Sequence, residues 1–271
     1  MLQQSLLTKL KPVTACARGT IRLKKNILAK NNKLIKKSKF FYSKRVGKTK
    51  HNGQITSWHR GGSNAKNLYR NINFIQTNKF NNNITLNTAF DPNRSAFINL
   101  NFDLIYKNFF YMPATQNVFP GSVFKNSINL TEVKLGFRSN LENLPIGSII
   151  HNLTIDKTNI SKYIRSAGTY GTILRCDNNK AQVKLPSKKI IEISSLNYAT
   201  IGQISNLENN LIKIGKAGTN RLLGKRPKVR GIAMNAVDHP HGGRANGGRP
   251  SVTPWGLPTK AGFYLSKKKK K

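Results

Sequence analysis

Acidic residues occur almost only in the middle of this chain, and their placement limits what its two ends can become. No Asp or Glu precedes Asp91, and after Glu208 only Asp238 remains. Both ends are therefore almost purely cationic, and the formal net charge of the chain is +38 at pH 7. Because like charges at this density oppose compaction, we expect a globular middle with two basic ends that lie against a polyanion.

A nucleic acid suits this charge best, because each phosphate that Lys or Arg neutralises releases a counterion and adds affinity. The alternatives are a merely basic globular protein and a cationic binder of acidic membranes. No apolar run approaches the length of a membrane span. Cys16 and Cys176 match no metal-ligand spacing and give no disulfide framework, which fits a reducing compartment. We expect no metal site and no cofactor of the chain's own, with any Mg²⁺ held through bound RNA.

The middle of the chain has the period of β-strands. Every second residue from Ile98 to Tyr106 is apolar, while Asn99, Asn101 and Asp103 point the other way, and residues 109–112 are the expected hairpin partner. We predict further strands at 53–58, 69–75, 83–87, 148–153, 169–176, 181–185, 189–193 and 202–205, and a short helix or a strand at 207–214. Short strands separated by turns are typical of small barrels, so we predict a mostly β chain with two barrels side by side.

The segment from Gly224 to Lys260 has neither a helical nor a strand period. It cannot bury enough apolar surface to order itself, yet it combines cations, glycines, two histidines and Trp255. We expect RNA to order it, with Trp255 stacking on a base or acting as a wedge. Five prolines interrupt the segment, namely Pro227, Pro240, Pro250, Pro254 and Pro258.

The motif Asp238-His-Pro-His241 allows three interpretations. A metal site is one, but no third or fourth ligand is nearby and Pro240 restricts the pair. Acid–base catalysis by His239 beside Asp238 is another, but no hydroxyl sits in a recognisable nucleophile turn. We favour RNA packing, in which imidazoles stack on bases or bind phosphates, and we predict that the chain is not an enzyme.

Two further segments suit phosphate contact. The loop 165–170 joins a cation, hydroxyls and a permissive glycine at the start of a strand, so it can turn backbone N–H groups and Arg165 towards phosphates. A structural turn is its alternative. Residues 216–228 alternate cations with small residues, which lets the backbone lie close to RNA. A solvated linker is the alternative there.

A series of motifs resembles the universal L-two family of large-subunit ribosomal proteins, in matching order and spacing over nearly the whole chain. The series comprises residues 11–14, 53–56, 59–62, 68–70, 91–96, 145–147, 151–152, 165–170, 199–202, 205–206, 215–218, 224–227 and the closing tail. The resemblance implies an OB-like barrel, then an SH3-like barrel, with extended basic ends that penetrate rRNA. We therefore expect a basic N-terminal arm at 1–52, the OB-like barrel at 53–138, the SH3-like barrel at 139–214 and an rRNA-penetrating tail at 215–271.

The resemblance implies a structural constituent of the large ribosomal subunit that binds large-subunit rRNA. It also implies neighbouring large-subunit proteins, a role in association with the small subunit, and support of the rRNA scaffold around the peptidyl transferase centre. It assigns His239 an RNA-organising role; direct acid–base participation in peptidyl transfer and non-specific binding of organellar nucleic acid are the alternatives. The implied RNA contacts are His59, Arg60, Gly61, Gly62, Arg70, Arg94, Arg165, Ser166, Gly168, Thr169, Lys216, Asn220, Arg221, Lys225, Arg226, Lys228, Arg230, Asn235, Asp238, His239, His241, Gly242, Gly243, Arg244, Arg249, Trp255 and Lys260.

Departures from the bacterial pattern point to an organelle. Ser63 stands where the family often has a third glycine, and residues 242–248 lack the acid that bacterial members carry there. The run 247–256 resembles mitochondrial members of plant and protist type. We therefore expect a protein of the mitochondrial matrix, with a plastid as the alternative. Because the resemblance begins by Lys11, we expect an organelle-encoded, unprocessed protein. A nuclear-encoded protein with an internal targeting arm is the alternative.

Overall fold

The computed structural model describes residues 6–24, 28, 39–41, 47–49, 51–61, 68–74, 81–127, 132–155, 160–177, 179–243 and 251–259. The chain divides into two compact units. Unit one comprises residues 1–44 and 65–219, and unit two comprises residues 45–64 and 220–271. The four segments expected from the sequence, with boundaries at 52, 138 and 214, stay a prediction.

Unit one contains all the strands of the described residues. They are β1 Leu7–Lys9, β2 Ile21–Leu23, β3 Lys39–Phe41, β4 Leu68–Arg70, β5 Asn81–Ala89, β6 Ile98–Asp103, β7 Phe109–Pro113, β8 Val123–Asn126, β9 Arg138–Asn140, β10 Ile149–His151, β11 Leu153–Thr154, β12 Ser161–Tyr163, β13 Gly171–Cys176, β14 Lys180–Lys184, β15 Ile190–Ser194 and β16 Tyr198–Ile201. The helices are short: α1 Ala15–Arg18, α2 Ala217–Leu222, and 3-10 turns at Leu141–Asn143, Leu207–Leu211 and Gly231–Ala233. The prediction of a mostly β chain is confirmed.

Ten strands form one sheet in the order β15-β14-β13-β10-β16-β9-β8-β5-β6-β7. Its pairings are antiparallel except between β8 and β9, which run parallel where Asn126 faces Arg138. The strands expected in the first barrel and those expected in the second are therefore hydrogen-bonded into a single sheet. Three two-stranded sheets, β1-β2, β3-β4 and β11-β12, complete the pairing.

The core of unit one lies on the inner faces of this sheet. Its largest cluster joins Met112 and Phe124, from the first half, to buried aliphatic residues of the second half such as Ile150, Ile173 and Val183. A smaller cluster packs Ile98 and Leu100 with other apolar residues of the first half. Because one apolar cluster spans both halves, burial of these side chains stabilises the two sets of strands together.

The predicted hairpin of β6 and β7 is confirmed, with Leu100 facing Tyr111. The strand ends earlier than its alternation suggests, because the Asp103 carboxylate accepts hydrogen bonds from the backbone N–H groups of Ile105 (2.9 Å) and Tyr106 (3.2 Å). These bonds form a turn that leaves Leu104 and Tyr106 exposed. The polar residues of β6 are buried, so the strand has two buried faces.

Other strand predictions had mixed outcomes. The hairpin of β13 and β14 across 177–180 is confirmed, and the short helix at 207–214 is a 3-10 turn. The strand predicted at 53–58 is wrong, because within the described part of the chain Ile55 makes a single bridge, to Lys48, and the chain turns on both sides. The strand predicted at 202–205 is also wrong: β16 ends before Gly202, whose φ is +108°. Asn152, with φ +55°, divides the strand predicted at 148–153 into β10 and β11.

The described residues of unit two form tight turns and isolated bridges. Thr56 and Ser57 donate backbone hydrogen bonds to the carbonyl of Gly47, at 2.9 and 3.2 Å. Among the described residues no helix is long and apolar enough to cross a membrane.

Candidate nucleic-acid interface

Two of the predicted RNA-binding segments pair with each other in unit two. Arg60 and Lys225 form an antiparallel bridge, and Gly61 N–H donates to Gly224 O at 3.1 Å. Arg226 N–H donates to His59 O at 3.0 Å, and His59 Nδ1 lies 3.1 Å from Pro227 O. We call residues 59–61 with 224–227 the basic ribbon. It holds the backbones of these cationic segments by their own hydrogen bonds.

The cations on and beside the basic ribbon are exposed and uncompensated. The side chains of Arg60, Arg221, Lys225, Arg226, Lys228 and Arg230 are all exposed. Within the described part of unit two none of them forms a salt bridge. The sequence places one acidic residue, Asp238, in residues 45–64 and 220–271 together. Unit two therefore carries a strong positive potential, of the kind that attracts a phosphate backbone.

His239 lies at the centre of a compact turn in the tail. Asn235 O accepts backbone hydrogen bonds from Asp238 (3.1 Å) and His239 (3.3 Å), and His239 O accepts one from Gly242 at 2.8 Å. The imidazole Nδ1 accepts a hydrogen bond from the backbone N–H of His241 at 3.0 Å. The His239 side chain is only 8% exposed. A neutral imidazole held in this way carries its proton on Nε2.

Three glycines are required by the geometry of this turn, and two of them, Gly242 and Gly243, were predicted. A Cβ on Gly231 would lie 2.7 Å from Nδ1 and Cε1 of His239, so the imidazole needs the bare backbone there. A Cβ on Gly242 would clash with the carbonyl of Asn235, and Gly243 has φ +76°. Gly231 was not among the predicted site residues; its signal would have been its position a few residues before the histidine motif.

The two histidines of the motif lie side by side. Their ring centroids are 4.6 Å apart at an angle of 50°. His241 Nε2 accepts a weak hydrogen bond from Val252 N–H at 3.4 Å, and Asp238 is exposed. The described residues hold no cluster of three His, Cys, Asp or Glu side chains that could bind a metal ion.

Trp255 stands on a turn near the end of the described tail. Thr253 N–H donates to Leu257 O at 2.7 Å, Gly256 N–H donates to Thr253 O at 2.9 Å, and Gly256 has φ +77°. The indole is 68% exposed and lies 6.2 Å, centroid to centroid, from the indole of Trp58 at an interplanar angle of 76°. Trp58 was not predicted as a site residue, because the alternation of residues 53–58 was interpreted as a strand.

The loop 165–169 places two predicted arginines on one aromatic ring in unit one. The guanidinium of Arg165 lies 4.7 Å and that of Arg94 5.5 Å from the Phe74 ring centroid. Arg94 Nε also donates to the Asp91 carboxylate at 2.7 Å. Ala167 N–H donates to Ser95 Oγ at 3.1 Å, which ties this loop to the 91–96 turn. The two motifs thus converge on one surface.

Within that loop the predicted residues have distinct positions. Gly168 has φ +66° and its N–H donates to Ser205 O at 3.2 Å. The hydroxyl of Thr169 donates to the carbonyl of Ser166 at 2.7 Å. Ser166 and Arg165 are exposed, so they can reach a phosphate without a change of backbone.

Arg70 lies in the interior, unlike the other predicted cations. Its side chain is 6% exposed, its Nη1 donates to Phe90 O at 2.7 Å, and its guanidinium lies 5.6 Å from the Tyr111 ring centroid. These contacts give Arg70 a packing role in unit one, and its burial argues against direct contact with RNA.

The remaining predicted residues fall into two groups. Lys216, just before α2, and Asn220, within it, are exposed. The backbone of Asn220 accepts from Lys225 N–H at 3.0 Å. Gly62, Arg244, Arg249 and Lys260 lie outside the described residues.

The burial of His151 and Arg138 was not predicted from the sequence. His151 is fully buried, with Nδ1 2.9 Å from Gly202 O and Nε2 3.2 Å from Thr115 Oγ1. Burial lowers the pKa of His151 to about 4, so the ring is neutral at pH 7. Arg138 donates from Nε to Thr200 Oγ1 at 3.2 Å, and burial lowers its pKa to about 10. Both side chains lie inside unit one, away from solvent.

Comparison with known proteins supplies the family relationship. Residues 32–124 match the family described as Ribosomal Proteins L2, RNA binding N-terminal domain, and residues 134–256 match Ribosomal Proteins L2, C-terminal domain. The chain is 40% identical over 268 residues to large ribosomal subunit protein uL2m of Reclinomonas americana, covering 97% of this chain and 95% of that one. It is also 40% identical to large ribosomal subunit protein uL2 of Wolbachia pipientis over 255 residues, and of Rickettsia canadensis over 254 residues. In both cases 92% of this chain and 90% of the relative are covered.

Proposed function

The chain belongs to the ribosomal protein L2 family, a structural constituent of the large ribosomal subunit, and we propose that its exposed cations bind large-subunit rRNA directly. The single observation that carries this proposal is the basic ribbon, where two cationic segments are fixed together with no acidic neighbour among the described residues. Cations fixed in this way can neutralise phosphates of closely packed RNA without first ordering their own backbone.

The two units would bind in different ways. In unit one the pair Arg94 and Arg165 forms a small cationic surface around Phe74, suited to phosphates of an RNA helix. In unit two the basic ribbon and the turn around His239 (residues 231–243) present exposed cations beside glycine-rich backbone, suited to threading between RNA helices. We expect three kinds of partner: rRNA that supports the peptidyl transferase centre, neighbouring large-subunit proteins, and the small subunit across the subunit interface.

His239 has an organising role in this proposal. Its Nδ1 already accepts a hydrogen bond from His241 N–H, and its ring packs on Gly231. The ring therefore maintains the fold of the turn that carries the glycines and the neighbouring cations. Acid–base participation in peptidyl transfer predicts that His239→Gln abolishes peptide-bond formation in fully assembled subunits. Loss of assembly, with normal activity in the subunits that do form, supports the organising role.

We place the protein in the mitochondrion, with a plastid as the alternative. The support is the likeness to uL2m of Reclinomonas americana together with the form of the tail. The bacterial relatives have the same sequence identity to this chain, 40%, so the organelle has to be tested directly.

One experiment tests both the function and the location. UV crosslinking in an organelle lysate, followed by sequencing of the RNA attached to peptides from residues 216–260, should recover one large-subunit rRNA, and its sequence identifies the organelle. Crosslinks scattered over many RNAs, or recovery of DNA, would contradict the ribosomal role and favour a non-specific nucleic-acid binder.

A further inference from the structure

Trp58 and Trp255 form an exposed aromatic corner in unit two. Their ring centroids are 6.2 Å apart and the ring planes meet at 76°. The side chains are 56% and 68% exposed. Large aromatic side chains contribute much favourable free energy when they are buried. These two indoles contact each other edge to face and remain exposed, so apolar surface is left for a partner.

The backbone on both sides of this corner is fixed. Next to Trp58, His59 O accepts a hydrogen bond from Arg226 N–H at 3.0 Å. Trp255 stands on the turn closed by the hydrogen bonds between Thr253 and Leu257. A ligand that enters such a corner does not have to order the two loops, so less free energy is lost on binding.

The charges around the corner identify the class of ligand. Three exposed cations lie in the same unit. Arg60 is two residues from Trp58, and Arg226 and Lys228 lie in or next to the segment that pairs with residues 59–61. An aromatic surface beside cations that have no acidic partner suits a planar ring attached to a phosphate. An apolar peptide or a lipid tail would leave those cations without a counter-charge. A nucleobase stacks on an aromatic face whatever its sequence, while its backbone phosphate meets the cations.

We infer that Trp58 and Trp255 together form a binding site for one unstacked nucleobase of RNA. The base stacks on the exposed face of one indole, and the other indole bounds it from the side. This inference rests on the proposed RNA-binding function and adds to it a specific ligand: a base that is not paired in a helix. The two tryptophans come from segments at opposite ends of unit two's sequence, so the site exists only when that unit is folded.

The chain has two tryptophans, so its intrinsic tryptophan fluorescence reports on this corner alone. The full chain is titrated with a labelled oligoadenylate and, separately, with an abasic ribose-phosphate oligomer of equal length. Anisotropy of the label gives total binding, and tryptophan quenching gives stacking. We expect both oligomers to bind, with quenching by the oligoadenylate only.

Substitutions separate stacking from charge. Trp58→Leu and Trp255→Leu should each weaken oligoadenylate binding by about 5-fold to 150-fold, the usual effect of losing one stacked base, and leave abasic binding unchanged. Trp58→Phe should retain most of the affinity, because an aromatic face remains. Val237→Ala is the matched control, since Val237 is 97% exposed in the same unit and should have no effect.

Four outcomes would overturn the inference. Equal affinity and equal quenching with both oligomers would mean that phosphates alone are bound. Equal losses for both oligomers in the Leu variants would mean that the indoles support the fold and not a base. If neither oligomer binds the wild-type chain, the proposed RNA-binding function fails as well; if both bind without quenching, only the nucleobase site fails.

Discussion

The backbone N–H of His241 donates a hydrogen bond to the imidazole Nδ1 of His239 at 3.0 Å. The Asp238-His-Pro-His241 motif, which in the sequence resembles a catalytic or metal site, therefore uses one imidazole nitrogen within its own turn. The ring of His239 closes its own turn and packs against the bare backbone of Gly231. Proline between the two histidines suits this arrangement, because it removes a backbone donor at position 240 and presets φ. A histidine in this position contributes to function through the shape of the tail.

Gly231→Ala should disrupt that turn. The added Cβ would lie 2.7 Å from the His239 ring, and overpacking of this kind typically costs about 1–3 kcal/mol. We expect faster protease cleavage within residues 231–243 in the full chain. Gly218→Ala is the control, because Gly218 lies in α2 with open space around its Cβ position. Equal cleavage rates in the two variants would contradict the packing of His239 on Gly231.

The stability of unit one should fall as the pH is lowered from 7 to 4. Burial lowers the pKa of His151 from its ordinary value of 6.5 to about 4. Between these two values the unfolded chain binds a proton at this site and the folded chain does not, so stability rises with pH. The contribution is fully present above pH 6.5 and is lost progressively as the pH falls to about 4. It amounts to about 3 kcal/mol.

Denaturant unfolding at a series of pH values measures this effect. His151→Gln should lower the stability at pH 7 and flatten the dependence between pH 4 and 6.5. His51→Gln, which removes an exposed histidine of unit two, should leave the profile unchanged. A wild-type profile that is flat through this window would show that His151 is not buried in its neutral form.

Gly202→Ala should destabilise unit one more than Gly147→Ala does. Both glycines have positive φ, +108° and +81°, so alanine is strained at either position. Only at Gly202 does the added Cβ also meet a neighbour, Thr115 Cγ2 at 2.8 Å. We expect a loss of about 1 kcal/mol at Gly147 from backbone strain and a further 1–3 kcal/mol, roughly, at Gly202 from overpacking. Thermal unfolding of the two variants measures the difference. Equal losses would mean that the Thr115 methyl group moves aside freely.

The sequence predicted those elements whose signal is local. The hairpins β6-β7 and β13-β14 follow from alternation around polar turns, and both lie where expected. The same alternation at 53–58 did not make a strand, because no strand within the described residues pairs with it; Ile55 there forms a bridge with Lys48 alone. Alternation predicts which residues share a face, but a strand also needs a partner, and the partner is set by the rest of the fold.

Long-range relationships at the candidate site could not be predicted from local pattern. The pairing of Arg60 with Lys225 and the meeting of Trp58 with Trp255 join segments far apart in the sequence. The burial of Arg70 could not be predicted from local pattern either. Its cation suggested RNA, while the carbonyl of Phe90 and the ring of Tyr111 that hold it come from other parts of the fold.

Lys225→Ala and Arg70→Ala should affect different properties: RNA binding in the first variant and folding stability in the second. Lys225 is an exposed cation of the basic ribbon, so its loss should reduce the slope of log affinity against log salt by about 0.7 for single-stranded RNA. Arg70 is buried and engaged within unit one. Its loss should leave that slope unchanged and lower the free energy of unfolding by about 1–3 kcal/mol, because its partner carbonyl is left unsatisfied.

Binding isotherms over a range of salt concentrations, together with denaturant unfolding of each variant, distinguish these effects. Lys184→Ala, an exposed cation at the end of β14 in unit one, is the control for loss of a surface charge outside the predicted site. A salt slope reduced by Arg70→Ala and not by Lys225→Ala would mean that RNA reaches the interior of unit one and bypasses the basic ribbon.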